Sequence, residues 1–198
     1  MATSWKKLRC RFIGEHDIIM NNGRLADPLD EFAKEMTAIR AIRTKTPEHH
    51  ERMAELEFRG SLYLDDAGRP VWPGRNLKAA LVDGGKKFRN GPIMKSGCRI
   101  EGHYPFVFDG PKDADKLWEQ RDKFGLRTMV KGDKGKRIPS TRPIFTGWEL
   151  EFMMTYNTNV VTLAKIKQAW NACGEQVGMG NWRPEHGLFT VECIDPVN

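Results

Sequence analysis

The stretch of sequence that decides the fold is residues 62–81, LYLDDAGRPVWPGRNLKAAL. The polar residues 65–68 predict a turn, and a short strand follows it. Pro73 and Gly74 then interrupt that strand. We expect Asn76 to cap a helix, because asparagine side chains accept hydrogen bonds from the free N–H groups at a helix start. The segment therefore predicts a strand, a break and a helix in close succession.

Basic side chains stand at the start of that predicted helix. Arg75 and Lys78 lie beside the N-terminus, where the helix dipole gives a partial positive charge. This charge and the free backbone N–H groups favour phosphate, so Arg75, Asn76 and Lys78 are candidate phosphate contacts. The alternative is an ordinary strand-turn-helix whose basic residues are only solvated.

Two motifs, one in each half of the chain, carry a family resemblance. Residues 73–81 read PGRNLKAAL, and residues 178–191 read GMGNWRPEHGLFTV. The first resembles the I-P-G-S-S-L-K-G-A-L-R segment of the RAMP superfamily, which is best known from CRISPR effector complexes, and differs from it at Arg75, Asn76 and Ala79. The second resembles the glycine-rich loop and final strand of that family, with Phe189 where the second glycine would stand. The resemblance implies an RNA-recognition-type core that binds RNA in an antiviral CRISPR complex.

Composition sets limits on the class of protein. The chain has 198 residues, 39% of them apolar, and a mean hydropathy of −0.57. This length predicts one domain with a real core, and no apolar run is long enough to span a membrane. The four cysteines lie far apart and form no CxxC pair, so they predict reduced thiols in a cytoplasmic protein. No cofactor and no metal site are predicted.

Positive charge is concentrated in one window. Residues 121–142 contain eight basic and two acidic residues, a net charge equal to the +6 of the whole chain. Within it, residues 130–138 predict a glycine-turned basic hairpin that could reach across a polyanion. A solvated basic face is the alternative. A second basic group begins at Arg75 and ends at Arg99, and two such segments beside one sheet suggest a track for a phosphate backbone.

The order of predicted elements gives the fold class. We expect an α+β protein with a ferredoxin-like, RNA-recognition βαββαβ core. The predicted strands are residues 7–20, 104–108, 148–156 and 188–194, and the predicted helices are 77–87 and 162–177. Residues 1–198 then form a single RAMP-like domain, with a helical insertion at 27–60 and a basic, loop-rich insertion at 88–145. In the helical insertion, Asp27 is expected to cap the first helix, and Thr46 with Pro47 to start the second.

Catalytic motifs are mostly absent. The sequence has no Walker A, G-x-S-x-G or HExxH pattern. Some members of the resembled family cut RNA through an aspartate after the first strand, which leaves Asp27 and Asp30 as the only candidates. Helix capping explains Asp27 more simply, so the sequence predicts a protein that is not an enzyme.

These observations lead to one functional prediction with one alternative. The chain is predicted to bind single-stranded nucleic acid, with RNA as the expected form, along its backbone and without sequence preference, and to form oligomers with copies of itself. The alternative is a structural or assembly protein of a phage or mobile element that self-associates without nucleic acid. The candidate nucleic-acid contacts are Arg75, Asn76, Lys78, Lys131, Lys134, Lys136, Arg137, Arg142, Gly178, Gly180, Trp182 and Arg183.

Overall fold

A computed structural model describes residues 4–132 and 135–197. It divides the chain into two compact units. The first unit contains the residues up to Ile18, Val71–Asp109 and the residues from Phe145 onward, and the second contains Ile19–Pro70 and Gly110–Ile144. Both units combine helices with antiparallel strands, so the predicted α+β class is confirmed.

Nine labelled strands and seven labelled helices lie in the described part of the chain. The strands are β1 (Trp5–Gly14), β2 (Ile18–Ile19), β3 (Val71–Pro73), β4 (Cys98–Arg99), β5 (His103–Val107), β6 (Gly125–Lys131), β7 (Arg137–Phe145), β8 (Glu149–Asn157) and β9 (Phe189–Val197). The helices are α1 (Glu31–Ala41), α2 (Pro47–Ser61), α3 (Gly74–Lys86), α4 (Gly91–Gly97), α5 (Ala114–Glu119), α6 (Arg121–Phe124) and α7 (Leu163–Ala172). A 3-10 turn spans Gly23–Ala26, and a π-helical turn spans Cys173–Val177.

The first unit is built on one sheet with the strand order β3-β5-β8-β1-β9, and β4 also pairs with β8. The two long strands β1 and β8 run antiparallel, with Trp5 opposite Asn157 and Ile13 opposite Glu149. Side chains alternate between the two faces of a strand. In β8 buried residues alternate with exposed or partly exposed ones from Leu150 to Tyr156, which is the pattern that the sequence predicted.

Helices cover the buried face of this sheet. The ring of Trp170 in α7 lies 4.8 Å from the ring of Phe12 in β1, in an edge-on arrangement that aromatic pairs favour. The ring of Phe189 in β9 stacks on Phe12 at 4.4 Å. Phe189 is 2% exposed and is therefore part of the core.

The second unit joins a helical hairpin and a small sheet of order β2-β7-β6. Met36 and Ile39 of α1 pack against Leu56 of α2. The helix α2 begins at Pro47 after Thr46, as predicted. The cap of α1 was assigned wrongly: its N-cap is Asp30, whose side chain accepts from the N–H of Phe32, whereas Asp27 accepts from the N–H of Leu29 in the turn before it.

Two other local predictions were wrong. The helix α3 begins at Gly74 with Pro73 as its N-cap, so Asn76 lies inside the first turn and caps nothing. A Cβ on Gly74 would lie 2.7 Å from the carbonyl oxygen of Ile100, so close backbone approach requires glycine here. The first strand ends at Gly14, and Ile18–Ile19 belongs to the other sheet.

Residues 88–145, expected to be a loop-rich insertion, carry the helices α4 to α6 and the strands β4 to β7. The range is also divided between the two units at Asp109 and Gly110. Its glycines and prolines separate short elements, which composition alone does not distinguish from loop. In the described residues, no helix is both long enough and apolar enough to cross a membrane.

Candidate nucleic-acid surfaces

The basic hairpin exists and is longer than predicted. Strand β6 pairs with β7 from Gly125 opposite Pro143 to Lys131 opposite Arg137. Opposite residues of an antiparallel pair point to the same face, and residues two apart along a strand share that face. One face of the hairpin therefore carries Arg127, Met129 and Lys131 from β6, with Arg137 from β7. We call these four residues the hairpin face.

The hairpin face combines free positive charge with apolar surface. The cations Arg127, Lys131 and Arg137 are exposed, and within residues 4–132 and 135–197 none of them has an ion pair. Met129 between them is 51% exposed. Unpaired, solvated cations can approach a phosphate without first breaking a contact within the protein, so this surface is well suited to a polyanion.

Two further candidates belong to the same hairpin. Lys136 is exposed beside Arg137. Lys134 lies outside the described residues, so the structure gives no position for it. Sequence reasoning missed Arg127 as a candidate, although its position four residues before Lys131 in a strand was the available signal.

Arg142 differs from the other basic residues of the hairpin. Its side chain is 17% exposed, and Nη1 lies 2.7 Å from Oε1 of Glu57 in α2. Glu57 also accepts hydrogen bonds from the hydroxyl of Ser140 and the backbone N–H of Thr141, at 3.0 and 2.8 Å. One carboxylate of α2 thus holds three consecutive residues of β7, and Arg142 is occupied in fixing the base of the hairpin.

The candidates at the start of α3 have different surroundings. Arg75 is exposed in the first turn, and Asn76 next to it is partly exposed. Lys78 is half-buried and donates to the backbone carbonyls of Met94 and Cys98. Burial lowers the pKa of Lys78, with a smaller contribution from nearby Arg99. Lys78 therefore ties α4 and the first residue of β4 to α3, which leaves Arg75 as the cation directed to solvent.

The glycine-rich loop of residues 178–187 is closed by backbone hydrogen bonds. The N–H of Met179 donates to Gly187 and the N–H of Gly187 donates to Asp17, at 2.9 and 2.8 Å. Gly178 and Gly180 both have positive φ, at 75° and 83°, which favours glycine. Trp182 is partly exposed in this loop and also has a positive φ. Its ring lies 6.3 Å from the ring of His186.

Arg183 follows Trp182 and turns towards α3. Its Nη1 lies 3.4 Å from Oδ2 of Asp83 and 3.4 Å from the carbonyl oxygen of Gly178. Asp83 is eight residues after Arg75, about 12 Å further along the helix axis. The loop cation therefore lies near the other end of α3 from Arg75, and the sequence did not predict that separation.

The candidate residues fall into two groups. Arg75, Asn76, Lys78 and the loop residues belong to the first unit, whereas the hairpin residues belong to the second.

The tryptophan before Pro73 can be assigned to packing, because Trp72 is 1% exposed and its ring lies 5.8 Å from the ring of Phe106.

The two candidate aspartates for RNA cleavage have structural contacts. Oδ2 of Asp30 lies 2.7 Å from Nε of Arg24, and its side chain is 14% exposed. Burial opposes ionisation of Asp30, but the hydrogen bonds from Arg24 and from the N–H of Phe32 outweigh it and hold its pKa below the usual value. Asp27 is exposed and closes a turn onto Leu29.

Metal-ligating and thiol side chains are dispersed. No group of three or more His, Cys, Asp or Glu side chains that could hold a metal occurs in the residues that the structure describes. Burial raises the pKa of Cys98 to about 11 and that of Cys173 to about 12. Both thiols stay protonated near neutral pH and are poor nucleophiles.

Comparison with known proteins gives a likeness of fold. No protein-family model matches this chain, and no curated protein is significantly similar to it. Among solved structures, a chain of the structure described as "Cryo-EM structure of the Type III-B Cmr-beta bound to cognate target RNA" aligns with a TM-score of 0.54 and 10% sequence identity. The alignment covers 98% of the present chain and 61% of that one. The two chains share a fold, and the present chain spans less than two thirds of the other.

Proposed function

We propose that this protein is a non-catalytic, RAMP-type subunit of a CRISPR-like effector that binds single-stranded RNA along its backbone. The observation that carries the proposal is the hairpin face, where Arg127, Lys131 and Arg137 are exposed without ion pairs, within the described residues, around Met129. Contacts from cationic side chains to phosphates depend on the charge and shape of the RNA backbone and not on the identity of the bases, so we expect binding to be independent of sequence. Arg75 and the 178–187 loop provide contacts on the first unit.

The strand order supports a ferredoxin-like core for this subunit. We take β1, α3, β5, β8, α7 and β9 as the six elements of a βαββαβ core. Its four strands then lie in the sheet in the order β5-β8-β1-β9, so that the second strand of the core is followed by the third, the first and the fourth. That arrangement matches a split βαβ fold, which RNA-recognition domains use. The structural neighbour also supports the proposal, because its complex is described as bound to cognate target RNA.

Assembly of several copies along one strand is part of the proposal. The test is light scattering coupled to size-exclusion chromatography, with oligouridines of increasing length added to nuclease-treated protein. The mass of the complex is expected to rise in steps of one subunit as the RNA lengthens, and ribonuclease should return it to the starting mass. DNA of the same lengths provides the comparison for RNA preference.

This proposal would be contradicted if the mass of the particle stayed the same on addition of RNA and on treatment with ribonuclease. It would favour instead an assembly protein that self-associates without nucleic acid. Absence of catalysis is tested in the same samples: Asp27→Ala and Asp30→Ala should leave the length of the bound RNA unchanged, as should the unmodified protein. Shortening of the RNA that disappears in either variant would make the protein a nuclease.

A further inference from the structure

A cleft at the C-terminal end of α3 is lined neither by residues of the hairpin face nor by Arg75. It has a volume of about 440 Å³ and lies within the first unit. Asp83, Lys86 and Lys87 line it from α3 and its C-cap, and Arg183 lines it from the 178–187 loop. We call it the Asp83 cleft. Three of these four side chains are cationic, so the cleft has an excess of positive charge.

Asp83 holds two of the three cations. Its Oδ1 lies 2.7 Å from Nζ of Lys86, and its Oδ2 lies 3.4 Å from Nη1 of Arg183. The contact with Arg183 is at the long end of the hydrogen-bond range, so it is readily exchanged for another acceptor. Lys87 is exposed and forms no ion pair within the part of the chain that the structure describes.

The geometry points to a phosphate group as the ligand. A carboxylate between two cations occupies the position that an anion would take, and one carboxylate leaves a cleft of three cations with unbalanced positive charge. Phosphate oxygens accept hydrogen bonds from arginine in fork geometry and from lysine as a point charge. Gln176, Val177 and Pro184 complete the lining and bring no charge, so the net positive charge of the cleft is set by the four charged side chains.

We infer that the Asp83 cleft binds a phosphodiester group of the single strand. In the absence of the strand, Asp83 keeps Lys86 and Arg183 in place, and the phosphate displaces it. This rests on the proposed function, since it adds a phosphate contact for the same strand about 12 Å along α3 from Arg75. Asp83 then opposes binding, because its charge repels the phosphate that shares its cations.

The test compares single-residue variants in fluorescence anisotropy with a labelled oligouridine over a range of salt. Lys87→Gln should weaken binding several-fold and lower the slope of log affinity against log salt by about 0.7, the contribution of one phosphate contact on a single strand. Arg183→Gln should do the same. Asp83→Asn should strengthen binding, by about fivefold, because it removes one repulsive charge close to the phosphate.

Lys165→Gln is the matched control. Lys165 is exposed on α7, has no ion pair within the described residues and does not line the Asp83 cleft. Its removal deletes the same charge and should leave the salt slope within error of the unmodified protein. The gain expected for Asp83→Asn cannot arise from misfolding, which keeps the proposal open to contradiction even if a lysine or arginine variant is unstable.

Each result has one meaning for the cleft. If Lys87→Gln and Asp83→Asn both behave like Lys165→Gln while hairpin variants lose affinity, the inference is wrong and the proposed function stands. If the unmodified protein binds no single strand, the proposed function is wrong. Calorimetry with inorganic phosphate then tests the Asp83 cleft on its own. If the unmodified protein binds phosphate and Lys87→Gln does not, the cleft is a site for free phosphate. If the unmodified protein binds no phosphate, the inference about the cleft is wrong.

Discussion

At the residue scale, Glu57 decides how the basic hairpin is held. Its carboxylate accepts hydrogen bonds from Ser140, Thr141 and Arg142, all in β7. Both charged side chains of the Glu57–Arg142 pair are mostly buried, with 19% and 17% of their surface exposed. A hydrogen bond to a charged partner in such surroundings contributes more to stability than a solvated ion pair.

Arg142 and Arg137 should therefore respond differently to the same substitution. Arg142→Gln is expected to lower the free energy of unfolding by about 2 kcal/mol, because it leaves the Glu57 carboxylate without its charged donor. It should leave the salt slope of RNA affinity unchanged. Arg137→Gln, at an exposed position, should leave stability unchanged and lower the slope by about 0.7. Urea unfolding and RNA titration measure the two effects, and the reverse pattern would contradict this assignment.

Asp30 predicts a dependence of stability on pH. Its pKa is below the usual value in the folded protein, so its stabilising contribution is fully present above the pKa of the unfolded chain and is lost as pH falls through the folded pKa. Asn also caps helices well, so Asp30→Asn removes the charge but keeps the cap. The difference in melting temperature between the two proteins should shrink from about pH 6 to about pH 2. A constant difference would show that the ion pair with Arg24 contributes nothing.

At the scale of elements, α3 and α7 meet at a glycine. A Cβ on Gly84 would lie 2.1 Å from the carbonyl oxygen of Ala169 in α7, which is too close for any side chain. The next residue, Gly85, faces only the side chain of Met94 at close range, whose Cγ would be 2.7 Å from an added Cβ. Methionine side chains are flexible and can move aside, whereas helix backbone cannot.

The two neighbouring glycines give a matched pair of variants. Gly84→Ala should destabilise the protein by about 1–3 kcal/mol through overpacking, despite the better helix propensity of alanine. Gly85→Ala should destabilise the protein less than Gly84→Ala, because a gain of about 1 kcal/mol in helix propensity partly offsets the shift of the buried Met94 side chain. Urea unfolding of both variants checks this, and equal effects would mean that α3 and α7 can separate at little cost.

Local sequence patterns predicted an element correctly where only one residue suited each structural role. The alternation in β8 predicted its strand, and Thr46 with Pro47 predicted the start of α2. The first helix start was ambiguous because Asp27 and Asp30 are both suitable caps, and only the packed structure selects Asp30. The break at Pro73-Gly74 was recognised, but the helix begins at the break itself, because the segment at Ile100 lies against Gly74.

At the scale of the whole molecule, the sequence located the basic segments but not the separate roles of their residues. The carbonyls that accept from Lys78 come from a segment sixteen and twenty residues later in the chain. Glu57, which holds Arg142, comes from the helical hairpin. Contacts between distant parts of a chain have no local signature, so Lys78 and Arg142 could not be separated from the solvated cations by pattern alone.

The central claim is that the hairpin face binds a single strand through its phosphates. The most direct measurement is the salt dependence of oligouridine affinity for the double variant Lys131→Gln, Arg137→Gln, with Lys165→Gln, Lys167→Gln on α7 as the matched control. We expect the hairpin variant to bind more weakly and its slope against log salt to fall by about 1.4, while the control keeps the slope of the unmodified protein. Equal slopes for the two double variants would contradict the claim.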